Sequence, residues 1–427
     1  MQKVLVIAYY WPPAGGPGVQ RWLKFVKYLP DFGIEPIVYT PENPNYPIID
    51  ANLVKEIPEG IQILKQPIRE PYAFASLLSK KKTKSISSGM IPDKKASPLA
   101  RFLLWVRGNF FIPDARKLWV KPSIRFLSKV IEENNIKTII TTGPPHSLHL
   151  IGLGLKQQHN LQWITDFRDP WTSIGYHKKL NLTQSSQRKH TYLEKKVLDT
   201  ADKVIVTSNT TKTEFKEITT TPIRIITNGF DDISHTSRLD TEFTVSHIGS
   251  LLTGRNPTAL WLTLKELVET HKDFAEALKI QLVGVVGEEV KDSLLNYGLA
   301  NYLDIKGYVP HEEVLKLQQR SQVLLLLEID SKETRGIIPG KLFEYFNAKR
   351  PIFGIGPKNW EAGQMIQETQ SGEVFLHSDK EGIKTVLLSW FHRYQKSQLE
   401  VNPEHIEKYH RKVLTESLAN FIQWESS

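Results

Sequence analysis

Residues 1–29 read MQKVLVIAYYWPPAGGPGVQRWLKFVKYL. Val4–Ala8 is a short apolar run of the kind that forms a strand buried on both faces. Trp11-Pro12-Pro13-Ala14-Gly15-Gly16-Pro17-Gly18 cannot be helix, because its prolines and glycines break one. Beyond it, Trp22, Phe25, Val26 and Leu29 recur at i, i+3, i+4 and i+7, a single apolar helical face. Strand, glycine loop and helix in succession bring backbone N–H groups and a helix N-terminus to the carboxyl end of a strand, where open parallel sheets bind ligands. The opening run is too short for the h-region of a secretory signal (~7–15 apolar residues) and is expected to be a strand.

The same alternation continues outward. Ile37-Val38-Tyr39, Ile61–Leu64, Thr138–Thr141, Trp163-Ile164-Thr165, Lys203–Val206 and Ile223–Ile226 read as strands, with helices expected over Val120–Asn134, Ser147–His159 and 185–200. The Lys/Ser-rich stretch 79–98 reads as a mobile excursion. The pattern then restarts. Phe243–Ile248 runs into Gly249-Ser250, a turn at Gly254-Arg255-Asn256-Pro257 and a helix over Thr258–His271; Lys279–Val283, Leu303-Asp304-Ile305, Val323–Leu327 and Pro351-Ile352-Phe353 are further strands. Strands separated by helices predict the α/β class, with a parallel, doubly wound sheet in each half. The expected domains are 1–237 and 238–407, with a C-terminal helix in 408–427 packing back on the first.

Composition narrows the function. The chain has 427 residues, 40% hydrophobic and 24% charged, ample for two cores. It has no cysteine, which removes disulfides, thiolate metal sites, a Cys nucleophile and thiol redox chemistry, and suits a cytoplasmic protein. No apolar run approaches the ~18 residues of a membrane span. The net charge of +9 is concentrated: residues 76–130 carry 13 Lys/Arg against Asp93 and Asp114, so this segment holds +11 and the remainder −2. Interleaved with Phe102, Leu103, Leu104, Trp105, Phe110, Phe111 and Ile112, the block suits anionic lipid headgroups or phosphates, or else a solvated loop followed by a core helix. No nucleic-acid-binding module is recognisable.

Three motifs sit where ligands bind. Gly15-Gly16-Pro17-Gly18 lacks the G-x-G-x-x-G spacing, and no acidic residue ends the second strand, so NAD is disfavoured; the glycines serve either backbone approach to a ligand or a tight turn. Asp166-Phe167-Arg168-Asp169-Pro170-Trp171 follows a buried strand at the same sheet edge, with Asp169 either a site carboxylate or a cap. Lys341 and Glu344 stand at i and i+3 at the start of a helix, either a surface ion pair or the complement of a ligand with phosphate and vicinal hydroxyls. No D-x-D, H-x-x-x-H or H-E-x-x-H occurs, so a tightly bound metal is not expected.

Taken in order over nearly the whole chain, these motifs resemble the bacterial glycosyltransferases of the family 4-like group, which have the GT-B fold of two Rossmann-like domains facing across a cleft. The resemblance runs through Tyr9-Tyr10-Trp11-Pro12-Pro13, Gly15-Gly16, Ile112-Pro113-Asp114, Asp166–Trp171, Thr227-Asn228-Gly229-Phe230-Asp231 and Pro339–Pro351. It implies that Gly15 and Gly16 approach the donor diphosphate and sugar, and that Arg168 and Asp169 contact the transferred sugar on the acceptor side. It further implies that Arg255 neutralises the donor phosphates, that Tyr308 and Val309 hold the base, and that Glu344 binds the ribose hydroxyls. The sequence departs from the family at Gly336, where the first Glu of the Glu, seven residues, Glu signature is missing, and at Ser250, where relatives often carry a phosphate-binding Arg; Lys341 is the expected replacement charge.

The activity so implied is retaining, metal-independent transfer of a hexose-type sugar from a UDP- or GDP-sugar, without cofactor, to a glycan or polyprenyl-diphosphate-linked acceptor in cell-surface polysaccharide synthesis. An epimerase or hydrolase on the same fold, or a non-catalytic nucleotide- or glycan-binding homologue, would use the same residues. A polyprenyl-linked acceptor places the enzyme at the inner face of the cell membrane, where each Lys or Arg near an anionic leaflet is worth up to ~1 kcal/mol. Neutralising Lys80, Lys81, Lys82 and Lys84 should therefore weaken binding to anionic liposomes at ~0.1 M salt and leave neutral liposomes unaffected. Equal sedimentation of wild type and quadruple variant with anionic vesicles would remove the membrane role of this cluster.

Overall fold

The computed structural model describes residues 1–70, 98–178, 180–232 and 237–424. The stretch 79–97 of the expected excursion, and with it the 80–84 lysine cluster, lies outside them. The chain folds into two units, Met1–Asn228 with Arg411–Ser427, and Gly229–His410.

In the first unit the strands are β1 (Gln2–Ile7), β2 (Ile34–Pro41), β3 (Gln62–Gln66), β4 (Thr138–Gly143), β5 (Gln162–Phe167), β6 (Lys203–Val206) and β7 (Ile223–Ile225). They form one parallel sheet in the order β3-β2-β1-β4-β5-β6-β7, which reverses direction between β1 and β4. Val4, Leu5, Val6 and Ile7 are all fully buried, and they alternate between two cores. Leu5 and Ile7 join Leu127, Ile131, Leu148 and Val197 on one face of the sheet. Val4 and Val6 join Trp22 and Phe25 of the first helix, Leu29 just beyond it, and Leu414, Leu418, Phe421 and Ile422 of the last one on the other. A strand covered on both faces has no polar phase, which is why β1 reads as an unbroken apolar run.

The second unit repeats the plan. Its strands are β8 (Phe243–Ile248), β9 (Leu278–Val283), β10 (Leu303–Lys306), β11 (Val323–Leu327), β12 (Ile352–Gly356) and β13 (Gly372–Leu376). All pairs are parallel, in the order β10-β9-β8-β11-β12-β13, with the reversal between β8 and β11. Both sheets thus have the doubly wound Rossmann order, whose ligand crevice opens at the carboxyl ends of the strands flanking the reversal.

Two elements depart from the sequence reading. β13 was not anticipated: it is an edge strand paired only with β12, and its GEVFL sequence is half exposed, so no apolar run marks it. The helix expected from Val120 begins at Lys117, with Pro122 inside it. Asp114 starts it one turn early, its carboxylate accepting the Arg116 N–H at 2.8 Å and its carbonyl the Lys117 N–H at 3.2 Å. A helix over Pro98–Phe110 occupies part of the basic segment.

Two buried charges pin the first unit. Lys203, 2% exposed, donates from Nζ to the carbonyls of Phe421 at 2.7 Å, Ile422 at 3.2 Å and Trp424, so a cation closes the C-terminal end of the last helix. Asp166, at the end of β5, is fully buried and accepts hydrogen bonds from Arg21 Nη2 at 2.9 Å, Trp22 Nε1 at 2.7 Å and Thr142 Oγ1 at 2.8 Å. Arg21 also donates to the Thr227 carbonyl at 2.6 Å. Burial pushes the Asp166 carboxyl up, but the Arg21 charge and the Arg21 and Trp22 hydrogen bonds outweigh it and hold the group below its ordinary value.

Arg21→Met leaves this carboxylate without its cation and should destabilise the protein by about 3–5 kcal/mol, read as a lower midpoint in chemical denaturation. Because the folded pKa is depressed, the contribution of Asp166 is present above the ordinary carboxylate pKa of ~4 and is lost as pH falls through the lower folded value. Asp166→Asn should therefore flatten the acid limb of the stability profile.

Candidate functional site

At the reversal point of the first sheet β1 feeds the glycine loop, and β5, one strand beyond β4, feeds Arg168-Asp169. Gly16 has φ +107°, a conformation that side chains rarely adopt, and it opens the helix Pro17–Tyr28. Gly15 packs against the neighbouring loop: its N–H donates to the Ile48 carbonyl at 3.0 Å, and a Cβ there would come within 2.9 Å of the Ile48 side chain. Gly18 is needed for a different reason. A Cβ on it would lie 1.6 Å from Arg168 Nη1, so the guanidinium rests on this glycine. Arg168 also donates from Nη2 to the Pro144 carbonyl, and its backbone N–H reaches the Gly143 carbonyl at 3.0 Å. The two segments singled out from the sequence, the glycine loop and Arg168, are therefore in contact.

Asp169 is half-buried, and among the described residues no hydrogen bond reaches its carboxylate. Burial raises its pKa, with Arg168 opposing and the nearby Asp166 adding to the rise. The rest of the motif is structural. Asp166 is the hub described above, Phe167 is fully buried and Trp171 is 1% exposed, its indole N–H donating to His190 Nδ1 at 3.0 Å. Asp114 of the Ile112-Pro113-Asp114 motif accepts from the Ser147 N–H at 2.9 Å and hydroxyl at 2.5 Å, capping the helix Ser147–Gln158. Tyr9 sits in a buried network, donating to Glu70 at 2.8 Å, with Arg116 paired to Glu70 at 3.0 Å.

Behind Arg168 lies a histidine wall that the sequence reading missed. His146 stacks on Trp171 at 5.0 Å and His149 on Phe167 at 4.2 Å, while His177 meets His190 edge-on at 4.6 Å. Burial lowers all four, His149 to about 3 and His177 to about 4, so they are neutral packing groups near pH 7. Their spacing carries no ligand signature, which is why nothing flagged them.

In the second unit, cations and carboxylates collect at the carboxyl ends of β8 and β11. Arg255 makes a two-pronged pair with Glu328, Nε to Oε1 at 3.0 Å and Nη2 to Oε2 at 3.2 Å. Glu328 is fully buried, while the Arg255 side chain keeps 30% exposure. Lys341 Nζ lies 3.1 Å from His247 Nε2, and the other ring nitrogen of His247 lies 3.2 Å from the Leu325 carbonyl. That carbonyl can only accept, so His247 Nδ1 carries the proton and Nε2 accepts from Lys341. Burial, and then the Arg255 charge, lower the Lys341 pKa to about 7, with Glu328 and Glu344 partly opposing. Gly249, φ +119°, leaves room for this amine: a Cβ there would be 3.0 Å from Nζ.

Lys341 and Glu344 start the helix Lys341–Ala348, and they turn to different partners. Glu344 Oε1 lies 3.0 Å from His311 Nε2, and Oε2 accepts from Gln318 Nε2 at 2.8 Å. Tyr308 is 70% exposed, and Val309 packs on the core beneath it. Among the residues singled out in this unit, the structure groups Arg255 with Lys341 and leaves Glu344 with the helix that follows Tyr308-Val309. Glu328, His247, His311 and Gln318 were missed. Glu328 had a legible signal, an acid directly after the all-apolar Val323–Leu327 strand; the other three had none.

Comparison with known proteins bears on the fold and the family. Residues 90–232 match the family model of Glycosyltransferase Family 4. No curated protein matches the chain in sequence. Among solved structures, a glycosyltransferase from Rickettsia africae superposes with TM-score 0.59 at 13% identity, covering 100% of this chain and 99% of that one. The lipopolysaccharide outer core galactosyltransferase WaaB gives 0.58 at 12%, covering 99% of each chain. An Escherichia coli trehalose-6-phosphate protein bound with UDP-2-fluoro glucose gives 0.63 at 9%, covering 100% of each. The chain thus has the GT-B fold over its whole length and matches Glycosyltransferase Family 4 over residues 90–232.

Proposed function

We propose that this protein is a hexosyltransferase that moves a sugar from a UDP- or GDP-sugar to a glycan or lipid-linked saccharide in cell-surface polysaccharide synthesis, with retention of configuration and without a metal. The observation that carries this reading is the arrangement in the second unit. Lys341 and Arg255 stand at the reversal point of the sheet, and Glu344 lies three residues beyond Lys341 on the same helix. Cations for a diphosphate and a carboxylate for a cis-diol are the complement of a nucleoside diphosphate. Similarity to a protein holding UDP-2-fluoro glucose supports that ligand class.

In this mechanism the charge that builds on the departing diphosphate is met by Lys341 and Arg255. The leaving phosphate takes the proton of the incoming hydroxyl. Arg168 and Asp169 of the first unit are the residues assigned here to contact with the sugar and the acceptor. The raised pKa of Asp169, to whose carboxylate no described residue donates a hydrogen bond, suits it to accept one from a sugar or acceptor hydroxyl. The anionic membrane remains part of the proposal. No described helix is long and apolar enough to cross a bilayer. The helix Pro98–Phe110 does carry Arg101 and Arg107, and it exposes Phe102 at 57% and Phe110 at 61%, a surface suited to a headgroup layer.

A panel of UDP- and GDP-sugars offered with a lipid-linked saccharide tests the reading: product glycan is the expected result, whereas donor epimer or free sugar alone would overturn it. Arg255→Ala and Lys341→Ala should each lower kcat/KM by roughly 10²–10³. Because Lys341 titrates near pH 7 and a diphosphate favours its ammonium form, donor binding should take up a proton. The diphosphate Kd should then rise between pH 7 and 9 in the wild type and become flat in Lys341→Met, a comparison read by calorimetry.

Gly18→Ala tests Arg168. The added methyl meets only the far end of a side chain, so the fold should tolerate it, with Tm nearly unchanged. The guanidinium must swing away, and transfer should fall by about tenfold or more while nucleoside diphosphate affinity stays within about twofold. Wild-type turnover in this variant would show that Arg168 does not act where the glycine holds it.

A further inference from the structure

We propose that Gln318 and His311 are positioning residues that hold the Glu344 carboxylate in the orientation that reads the ribose diol of the donor. The proposal rests on the nucleoside diphosphate reading above and names two residues that this reading does not require.

Two of the contacts on Glu344 come from one helix. His311 and Gln318 are seven residues apart in the helix His311–Arg320, hence on one face, and that helix packs on Lys341–Ala348. The two side chains divide the carboxylate between them, His311 Nε2 on Oε1 at 3.0 Å and Gln318 Nε2 on Oε2 at 2.8 Å. Both must act as donors, because an ionised carboxylate only accepts. The Gln318 amide is thereby oriented NH₂ first, and the His311 proton is fixed on Nε2.

Position and burial argue that this clamp serves more than packing. Gln318 is fully buried, yet its other amide atom, Oε1, has no hydrogen-bond partner, an arrangement that a leucine at the same place would avoid. What the amide does achieve is to aim one carboxylate oxygen. The Glu344 side chain keeps 16% exposure, so the carboxylate stays within reach of a ligand. An ionised carboxylate has about four lone-pair directions, and the clamp takes one on each oxygen. Two oxygens held at fixed angles suit two vicinal hydroxyls, whereas a swinging glutamate would have to be ordered when the ligand binds. His311 also follows directly on Tyr308-Val309-Pro310, so the segment expected to hold the base ends in the residue that sets the ribose acceptor.

The test is calorimetric binding of UDP and GDP, followed by the 2′-deoxy and 3′-deoxy analogues of whichever diphosphate binds. Wild type should prefer the ribonucleotide by about tenfold or more, the scale of one hydrogen bond to a charged group. Gln318→Met and His311→Phe should each cut that preference to about threefold or less, and His311→Gln, which keeps an N–H donor, should restore most of it. His311 is a third exposed, so its variants fold even if Gln318→Met does not. Variants with reduced Tm but an unchanged ribo-to-deoxy ratio would overturn the proposal and leave the donor reading standing. Failure of both diphosphates to bind the wild type would overturn the donor reading, and the proposal with it.

Discussion

The Asp166 carboxylate is the point on which the first unit depends. It sits at the carboxyl end of β5 and takes hydrogen bonds from the glycine-loop helix through Arg21 and Trp22 and from β4 through Thr142. Three segments that converge on the sheet reversal are thereby tied to one buried charge. The consequence is local rigidity: Gly16 and Gly18 open the helix that Arg21 and Trp22 anchor, and Arg168 follows Asp166 by two residues. The contact between Gly18 and Arg168 is set by the hub below it rather than by either residue alone.

The second unit uses the same device with a different outcome. Glu328 also lies at the carboxyl end of a strand, fully buried, and also holds an arginine. In the first unit the arginine is 1% exposed and serves structure. In the second it keeps 30% exposure and stands beside Lys341. In the proposed reading, this pair is the phosphate site held ready. Glu328 offsets the repulsion between Arg255 and Lys341, and its two hydrogen bonds fix the guanidinium plane. The low Lys341 pKa has the same origin, since an amine buried beside another cation is poorly stabilised until a counter-charge comes.

Much of this was legible. Apolar runs separated by helical periodicities yield the two doubly wound sheets, and the glycine loop, Arg168-Asp169, Arg255, Lys341 and Glu344 stand at strand ends or helix starts where parallel sheets bind ligands. β13 escaped because an edge strand with one covered side needs no apolar run. Within Asp166–Trp171 the sequence could not sort the residues, because Asp166 and Asp169 are the same residue type three positions apart. Depth separates them: one is sealed among three donors, and the other is half-buried with no donor among the described residues.

What the amino-acid sequence determined by itself is therefore the architecture and the candidate ligand edge of each sheet, since both follow from periodicity and from where glycine, proline and charge interrupt it. What only the tertiary structure decided is the partner of each charged group. Glu344 meets His311 and Gln318, 33 and 26 residues away; Lys341 meets His247, 94 away; Arg255 meets Glu328, 73 away. Local spacing predicted a Lys341–Glu344 face on one helix, but hydrogen bonding and burial act through space. Only the packed chain shows that each of these groups is held by a different element.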